Sequence, residues 1–276
     1  NAQVNAEMWS SNLYLSMSEY FQPHFKPDFN LDLLRSNNYI CHFFVVRREI
    51  AEKTGGLRPE YNGAQDYDYI FRCTEMAGKI VHIPRVLYHW RVHSASTADN
   101  PASKLYAYEA GKKAIEGNLA RCGEEGTVTL RSDYGFYDVD YKLRGTPLVS
   151  ILIPNKDQAD TLRTCLESIK KKCMYPSYEI LIIENNSTEE ATFSYYKELE
   201  AQGIRVLKYP KQGFNYSAIN NFGVKEAKGE YLLFLNNDME IITPDFMEKM
   251  VSNLQRPQIG AVGAKLYYPD NTVQHA

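Results

Sequence analysis

At 276 residues the chain has room for one large domain or two ordinary ones, and 44% hydrophobic content suffices for a sizeable core. Its 31 basic and 34 acidic residues leave a formal charge of -3, which argues against nucleic acid or an anionic membrane surface as a partner. The five cysteines are scattered, with no C-x-x-C pair, so neither a disulfide framework nor a zinc knuckle is expected and a reducing compartment fits. No apolar stretch of about 18 residues and no secretory signal is visible. The expected location is the cytoplasm, with peripheral association at the inner membrane face open to the full-length protein.

In chain order, residues 1–17 have no clear period and are assigned no structure. Residues 39–47, "YICHFFVVR", read as a strand, and "NGAQDYDYIFRCTEMAG" as a loop leading into a helix. "KIVHIPRVLYHWRVH" reads as two short extended pieces broken at Pro84. This first part, residues 1–97, is α+β in character. "PASKLYAYEAGKKAIEGNLARCG" suits a helix, followed by an extended stretch to Pro147, and residues 98–147 read as a linker containing that helix.

Residues 148–276 alternate regularly. "LVSILIPNKD" is a strand, Leu162, Cys165, Leu166 and Ile169 form the stripe of a helix, and "YEILIIENNS" is a second strand. A helix over 189–202, the strand "IRVLKY" and a helix through Ala218, Ile219 and Phe222 lead to "GEYLLFLNNDMEI". There an apolar run, Tyr231 to Leu235, ends abruptly on Asn236-Asn237-Asp238, and the run predicts a strand buried on both faces. Thr243-Pro244 predicts a helix start with Met247, Met250, Val251 and Leu254 inward, and "IGAVGAKLYY" a last strand. The alternation predicts an α/β fold with a mostly parallel, Rossmann-like sheet flanked by helices.

Four strand ends fall on one edge of that sheet: Asn155 to Asp157, Glu184 to Ser187, Gly213 to Asn215 and Asn236 to Asp238. Any one of them suits an ordinary turn or cap. Together they lie where open α/β sheets bind ligands, outside the carboxyl ends of the strands.

These segments, with "NYSAINNFGVKEAKGEYLLFLNND" and "VGAKLYYPDNTVQHA", resemble the donor-binding half of family 2 glycosyltransferases of the GT-A fold, inverting enzymes that use nucleotide-diphosphate sugars. The resemblance implies that Asp238, the last residue of a D-x-D-like motif, ligates Mg²⁺ or Mn²⁺ at the donor diphosphate. Asn236 departs from the motif by offering a neutral oxygen. Glu184 matches the acidic residue that reads the nucleoside, and Asn221 and Gly223 match an N-x-G element. Pro154, Asn155, Asp157, Asn186, Asn215 and Asn237 complete the implied nucleotide-sugar site.

"GGLRPEYNGAQDYDYIFRC" and "VLYHWRVHSAST" resemble the acceptor side of the same family, with Asp66 at the position of the general base. His93 is implied as a second metal ligand, with His89 and Trp90 close to the diphosphate. Without the resemblance, Asp66 and Asp68 would read as acids favoured by the helix dipole. Acceptor-like residues therefore precede donor-like ones, the reverse of a complete enzyme, as expected for a segment of a tandem-domain bacterial polysaccharide glycosyltransferase acting on a glycan or lipid-linked acceptor. Complementation of the two halves, within one chain or in a swapped homodimer, is a further expectation. Two other classes compete. A dinucleotide- or ATP-using enzyme needs a glycine-rich turn that "IPNKDQAD" lacks. A non-catalytic carbohydrate-binding module would differ in not binding nucleoside diphosphate with a divalent cation.

Overall fold

The structure is a computed structural model that describes residues 6–10, 19–41, 43–92 and 105–275. The chain divides into two compact units, residues 1–142 and 143–276.

In the first unit, β1 (Ala6–Ser10) pairs antiparallel with β2 (Glu19–His24). Helices α1 (Leu31–Ser36) and α2 (Arg48–Thr54), a 3₁₀ turn at Pro59–Tyr61 and α3 (Gln65–Met76) follow. Strand β3 (Tyr88–Val92) returns parallel to β1, and α4 (Leu105–Arg121) precedes an antiparallel hairpin of β4 (Gly126–Leu130) and β5 (Tyr137–Tyr141). The core joins Leu34 of α1 and Tyr67, Ile70 and Phe71 of α3 to Ala114, Ile115 and Leu119 of α4, with Val128 and Tyr137 from the hairpin.

Three expectations are corrected here. Residues 98–147 do not act as a linker: α4 presents an apolar stripe to α3, and the hairpin closes the same core, so the boundary between units falls at Lys142 and Leu143. Residues 39–47 form no strand among the described positions, because the carbonyls of Ile40 and Cys41 accept from Lys26 Nζ, at 3.0 and 2.9 Å, instead of from a neighbouring strand. Ala6–Ser10, in the stretch assigned no structure, is a strand.

The second unit is built on a four-stranded sheet of order β8-β7-β6-β9, parallel throughout. Its elements are β6 (Val149–Asn155), α5 (Ala159–Lys172), β7 (Tyr178–Glu184), α6 (Glu190–Ala201), β8 (Arg205–Lys208), α7 (Tyr216–Glu226), β9 (Tyr231–Phe234) and α8 (Phe246–Leu254). A short antiparallel pair, β10 (Leu266–Tyr267) and β11 (Val273–His275), follows. One sheet face packs on α5, α6 and α8 through Ile151, Ile153, Ile180 and Ile182 against Leu162, Leu166, Ile169, Leu199, Met247 and Val251. The other face packs Leu152, Leu181 and Ile183 against Ile219 of α7. This is the α/β class expected from the alternation of apolar segments.

Strand β9 is not buried on both faces. Tyr231, Leu233 and Leu235 pack on the first core, whereas Leu232 and Phe234 are 36% and 50% exposed. On that face α7 packs chiefly on β6 and β7. The expected last strand shrinks to Leu266–Tyr267, since Gly260, Ala261, Gly263 and Ala264 bring little side chain to pack. Helix α8 begins two residues after Pro244, with Asp245 as its cap residue.

Candidate functional site

The strand register brings the site together. Asn155 at the end of β6 stands opposite Glu184 at the end of β7, and Leu152 opposite Phe234 of β9. The chain leaves β6 and β9 on the same sheet edge, and Asn155, only 2% exposed, ties those exits together. Its Nδ2 donates to the Tyr196 hydroxyl of α6 (2.7 Å) and to the Asp157 carbonyl (3.0 Å). Its Oδ1 accepts from Asn237 Nδ2 at 2.7 Å. Asn185 N–H donates to the Asn155 carbonyl at 2.8 Å, bringing in the exit of β7.

Asp157 has a left-handed backbone (φ 52°), and its Oδ1 accepts from the N–H groups of Thr188 and Glu189 at 2.7 and 2.9 Å. Those two bonds hold its carboxyl below the ordinary range. Asp157 thus anchors the start of α6 and fixes the loop after β6. Glu184 is 4% exposed, and one carboxylate oxygen accepts from Ser187 N–H at 2.6 Å. Asn186, at φ 59°, donates to the Lys211 carbonyl at 3.0 Å, while its buried Oδ1 has no partner. Pro154 sits within β6, half-buried.

Asn215 caps α7 by accepting from Ala218 N–H at 3.0 Å. One turn on, the N-x-G element divides its labour: Asn221 is exposed, and Gly223 lies against the sheet, where an added Cβ would stand 2.4 Å from Ile183 Cδ1. Its neighbour Asn220, overlooked in the sequence, is 5% exposed with a buried, unpartnered Oδ1. Only a count of buried polar atoms singles it out.

After β9 the chain turns through Asn236, Asn237 and Asp238. Asn236 Oδ1 accepts from Tyr216 OH at 3.4 Å, and the Cys165 thiol of α5 lies beneath, 3.8 Å from the Asn236 carbonyl. Burial, aided by the charge of Asp238, pushes that thiol up to about 11, so it stays a donor. Asp238 itself is exposed, and among the described residues no cation pairs with it. No three His, Cys, Asp or Glu side chains among the described residues cluster closely enough to hold a metal by themselves. A single open carboxylate beside a neutral amide oxygen suits a hard cation that takes its remaining ligands from water and a diphosphate, and does not suit a protein-caged metal such as structural zinc.

These residues lie inside a segment, 150–275, that matches the family model described as glycosyl transferase family 2. The O-antigen biosynthesis protein RfbC of Myxococcus xanthus is 46% identical over 254 residues, which cover 92% of this chain and 20% of RfbC. Protein y4gI of Sinorhizobium fredii, described as uncharacterized, is 43% identical over 258 residues, 92% of this chain and 28% of that protein. This chain therefore spans between a fifth and a third of the length of these relatives, and both matches run through both units, so the order of the two units is shared. Among solved structures, the mannosyltransferase PcManGT from Pyrobaculum calidifontis, in complex with GDP-Man and Mn²⁺, aligns with a TM-score of 0.40 and 18% identity, over 60% of this chain and 46% of that one. Among the described residues no helix is long and apolar enough to cross a membrane.

In the first unit the two acids of "QDYD" separate sharply. Asp68 is fully buried, clamped by Arg72 (Nε 2.9 Å) and Arg58 (Nε 3.0 Å). Burial alone would raise its carboxyl, but hydrogen bonds from Arg58 and Arg72 outweigh that and hold it below the ordinary value. Asp66, in the first turn of α3, is half-buried, accepts from no backbone N–H of the helix start and is met only by polar side chains. Asp68 is a structural ion-pair member, whereas Asp66, among the described residues, meets no arginine or lysine and accepts only from Asn38 and Cys41. His89 is exposed on β3, not packed as a strand histidine would be. His93 lies outside the described residues, as does the side chain of Trp90.

Proposed function

We propose that residues 148–276 are the donor-binding half of an inverting family 2 glycosyltransferase, and that residues 1–97 carry the acceptor-side segment of such an enzyme, in a longer cytoplasmic protein with tandem domains that builds surface polysaccharide. The observation that carries the donor site is the Asn155–Asn237 bond, which fixes the Asn236–Asp238 turn against the end of β6 within the family-matched segment. Exposed Asp238, with Asn236 beside it, is the group that would hold Mg²⁺ or Mn²⁺. Such a cation supplies Lewis-acid stabilisation of the departing nucleoside diphosphate. Glu184, Asn186 and Asn215 stand at or after strand ends where the nucleoside and sugar would lie, with Asn221 on α7, and in the enzyme whose acceptor side residues 1–97 would form, Asp66 would take the proton of the acceptor hydroxyl. The acceptor oxygen forms its bond to the anomeric carbon from the face opposite the diphosphate, whose bond to that carbon breaks, and the configuration inverts.

The test is a thermal-shift panel of UDP, GDP, ADP and dTDP with and without Mn²⁺. A diphosphate at a hundredfold excess over its Kd stabilises the folded state by about 2.7 kcal/mol. The shift is expected only with the cation and is lost in Asp238→Asn, while the melting temperature without ligand stays put. An equal shift in excess chelator overturns the metal assignment, and no shift with any diphosphate overturns the donor site.

A further inference from the structure

Asp66 is held asymmetrically. Its Oδ2 accepts from Asn38 Nδ2 at 3.0 Å and from the Cys41 thiol at 3.2 Å. No partner among the described residues reaches Oδ1, and the residue is only half-buried. We propose that Asn38 and Cys41 are positioning residues that fix Oδ2 of Asp66 and thereby present Oδ1 to the acceptor hydroxyl. The inference rests on the reading of Asp66 as the base.

The donors are themselves fixed. Lys26, 7% exposed, donates to the carbonyls of Ile40 and Cys41, pinning the segment that carries the thiol. Burial and the Asp66 charge push the Cys41 thiol well up, so it remains protonated and serves as a donor across the working range. Asn38 directs its amide nitrogen to Asp66 although its own Oδ1 is thereby buried without a partner. Such a locally unfavourable arrangement is expected where function, not packing, fixes the geometry. A carboxylate anchored at one oxygen keeps its reactive oxygen in place, the preorganisation that proton transfer needs. Asp68, two residues further along α3, shows the contrast: arginines engage both its oxygens, leaving none to accept a proton.

The experiment has two arms. In the first, iodoacetamide labelling of Cys41 is followed by mass spectrometry in the parent chain and in Asp66→Asn. Loss of the carboxylate charge should speed labelling severalfold, and an unchanged rate overturns the contact. In the second, turnover is measured as nucleoside diphosphate release from UDP-glucose, UDP-galactose, UDP-N-acetylglucosamine and GDP-mannose, with water standing for the acceptor hydroxyl, in the full-length protein. Cys41→Ala and Asn38→Ala should each lower kcat at least tenfold with KM for the donor unchanged, and Cys41→Ser should restore most of it. If Asp66→Asn stops turnover but both alanine variants keep kcat within twofold, the positioning idea is wrong and the base stands. If Asp66→Asn itself keeps turnover, or no variant differs from the parent, the base reading fails and the inference with it.

Discussion

Replacing Asn155 with alanine should loosen the sheet edge and abolish diphosphate binding together. The substitution removes three hydrogen bonds, to Tyr196, Asp157 and Asn237. Each is worth about 1 kcal/mol net, and a partner left buried without a replacement costs about 1–3 kcal/mol. Tyr196 OH keeps a contact with Ser187 Oγ at 3.3 Å, and Asn237 and Asp157 are half-buried and can turn to water, so the full penalty does not apply. The sum is about 2–3 kcal/mol. Urea unfolding followed by far-ultraviolet circular dichroism measures it, and hydrogen exchange of a peptide spanning residues 231–240 locates it. Combining Asn155→Ala with Asn237→Ala in a double-mutant cycle should give a coupling of about 0.5–1.5 kcal/mol. A change below about 0.5 kcal/mol, or unaltered exchange in that peptide, would refute the claim that this asparagine fixes the turn bearing Asp238.

Breaking the clamp with Asp68→Asn should cost about 3 kcal/mol, the low end for a buried pair because Arg58 is a third exposed, as read by urea unfolding. Because the folded pKa of Asp68 lies below its unfolded one, its stabilisation is present above the ordinary carboxylate range and is lost as pH falls through the folded value. The acid limb of the stability profile should accordingly flatten in the variant. Gly223→Ala should lose about 1–2 kcal/mol, overpacking against Ile183 outweighing the better helix propensity of alanine. Gly229→Ala should lose more, because its Cβ would meet backbone, Ser150 N at 2.5 Å and the Leu148 carbonyl at 2.8 Å. Equal losses in the two glycine variants would contradict that ranking.

Much of the second unit is legible in the sequence because its signals are local. The stripe Leu162, Cys165, Leu166 and Ile169 is wholly buried, and the apolar runs of β6 and β7 are the central strands. The position of Asp238 is legible for the same reason, since the run before it stops so sharply. What local pattern does not carry is which helix covers which strand: "YLLFL" reads as doubly buried, but α7 packs chiefly on β6 and β7, and Leu232 and Phe234 stay open. In the first unit, "YICHFFVVR" misleads because its apolar residues divide between the core, as Tyr39 does, and solvent, as Val45 does at 81% exposure. The different fates of Asp66 and Asp68 are also beyond pattern, since the two arginines that claim Asp68 stand ten residues before it and four after it.

Strand β9 also bears on association between copies of the chain. Its outer edge pairs with no strand among the described residues, and it turns Leu232 and Phe234 to solvent. Unpaired backbone groups flanked by apolar side chains are a template for adding another strand, the geometry from which ordered self-association grows. A formal charge of -3 and a sequence pI near 6.1 give weak repulsion between copies, weakest in mildly acidic buffer. This edge is therefore one place where copies of the chain could add to one another, and a charge placed at Leu232 would oppose that pairing without entering the core.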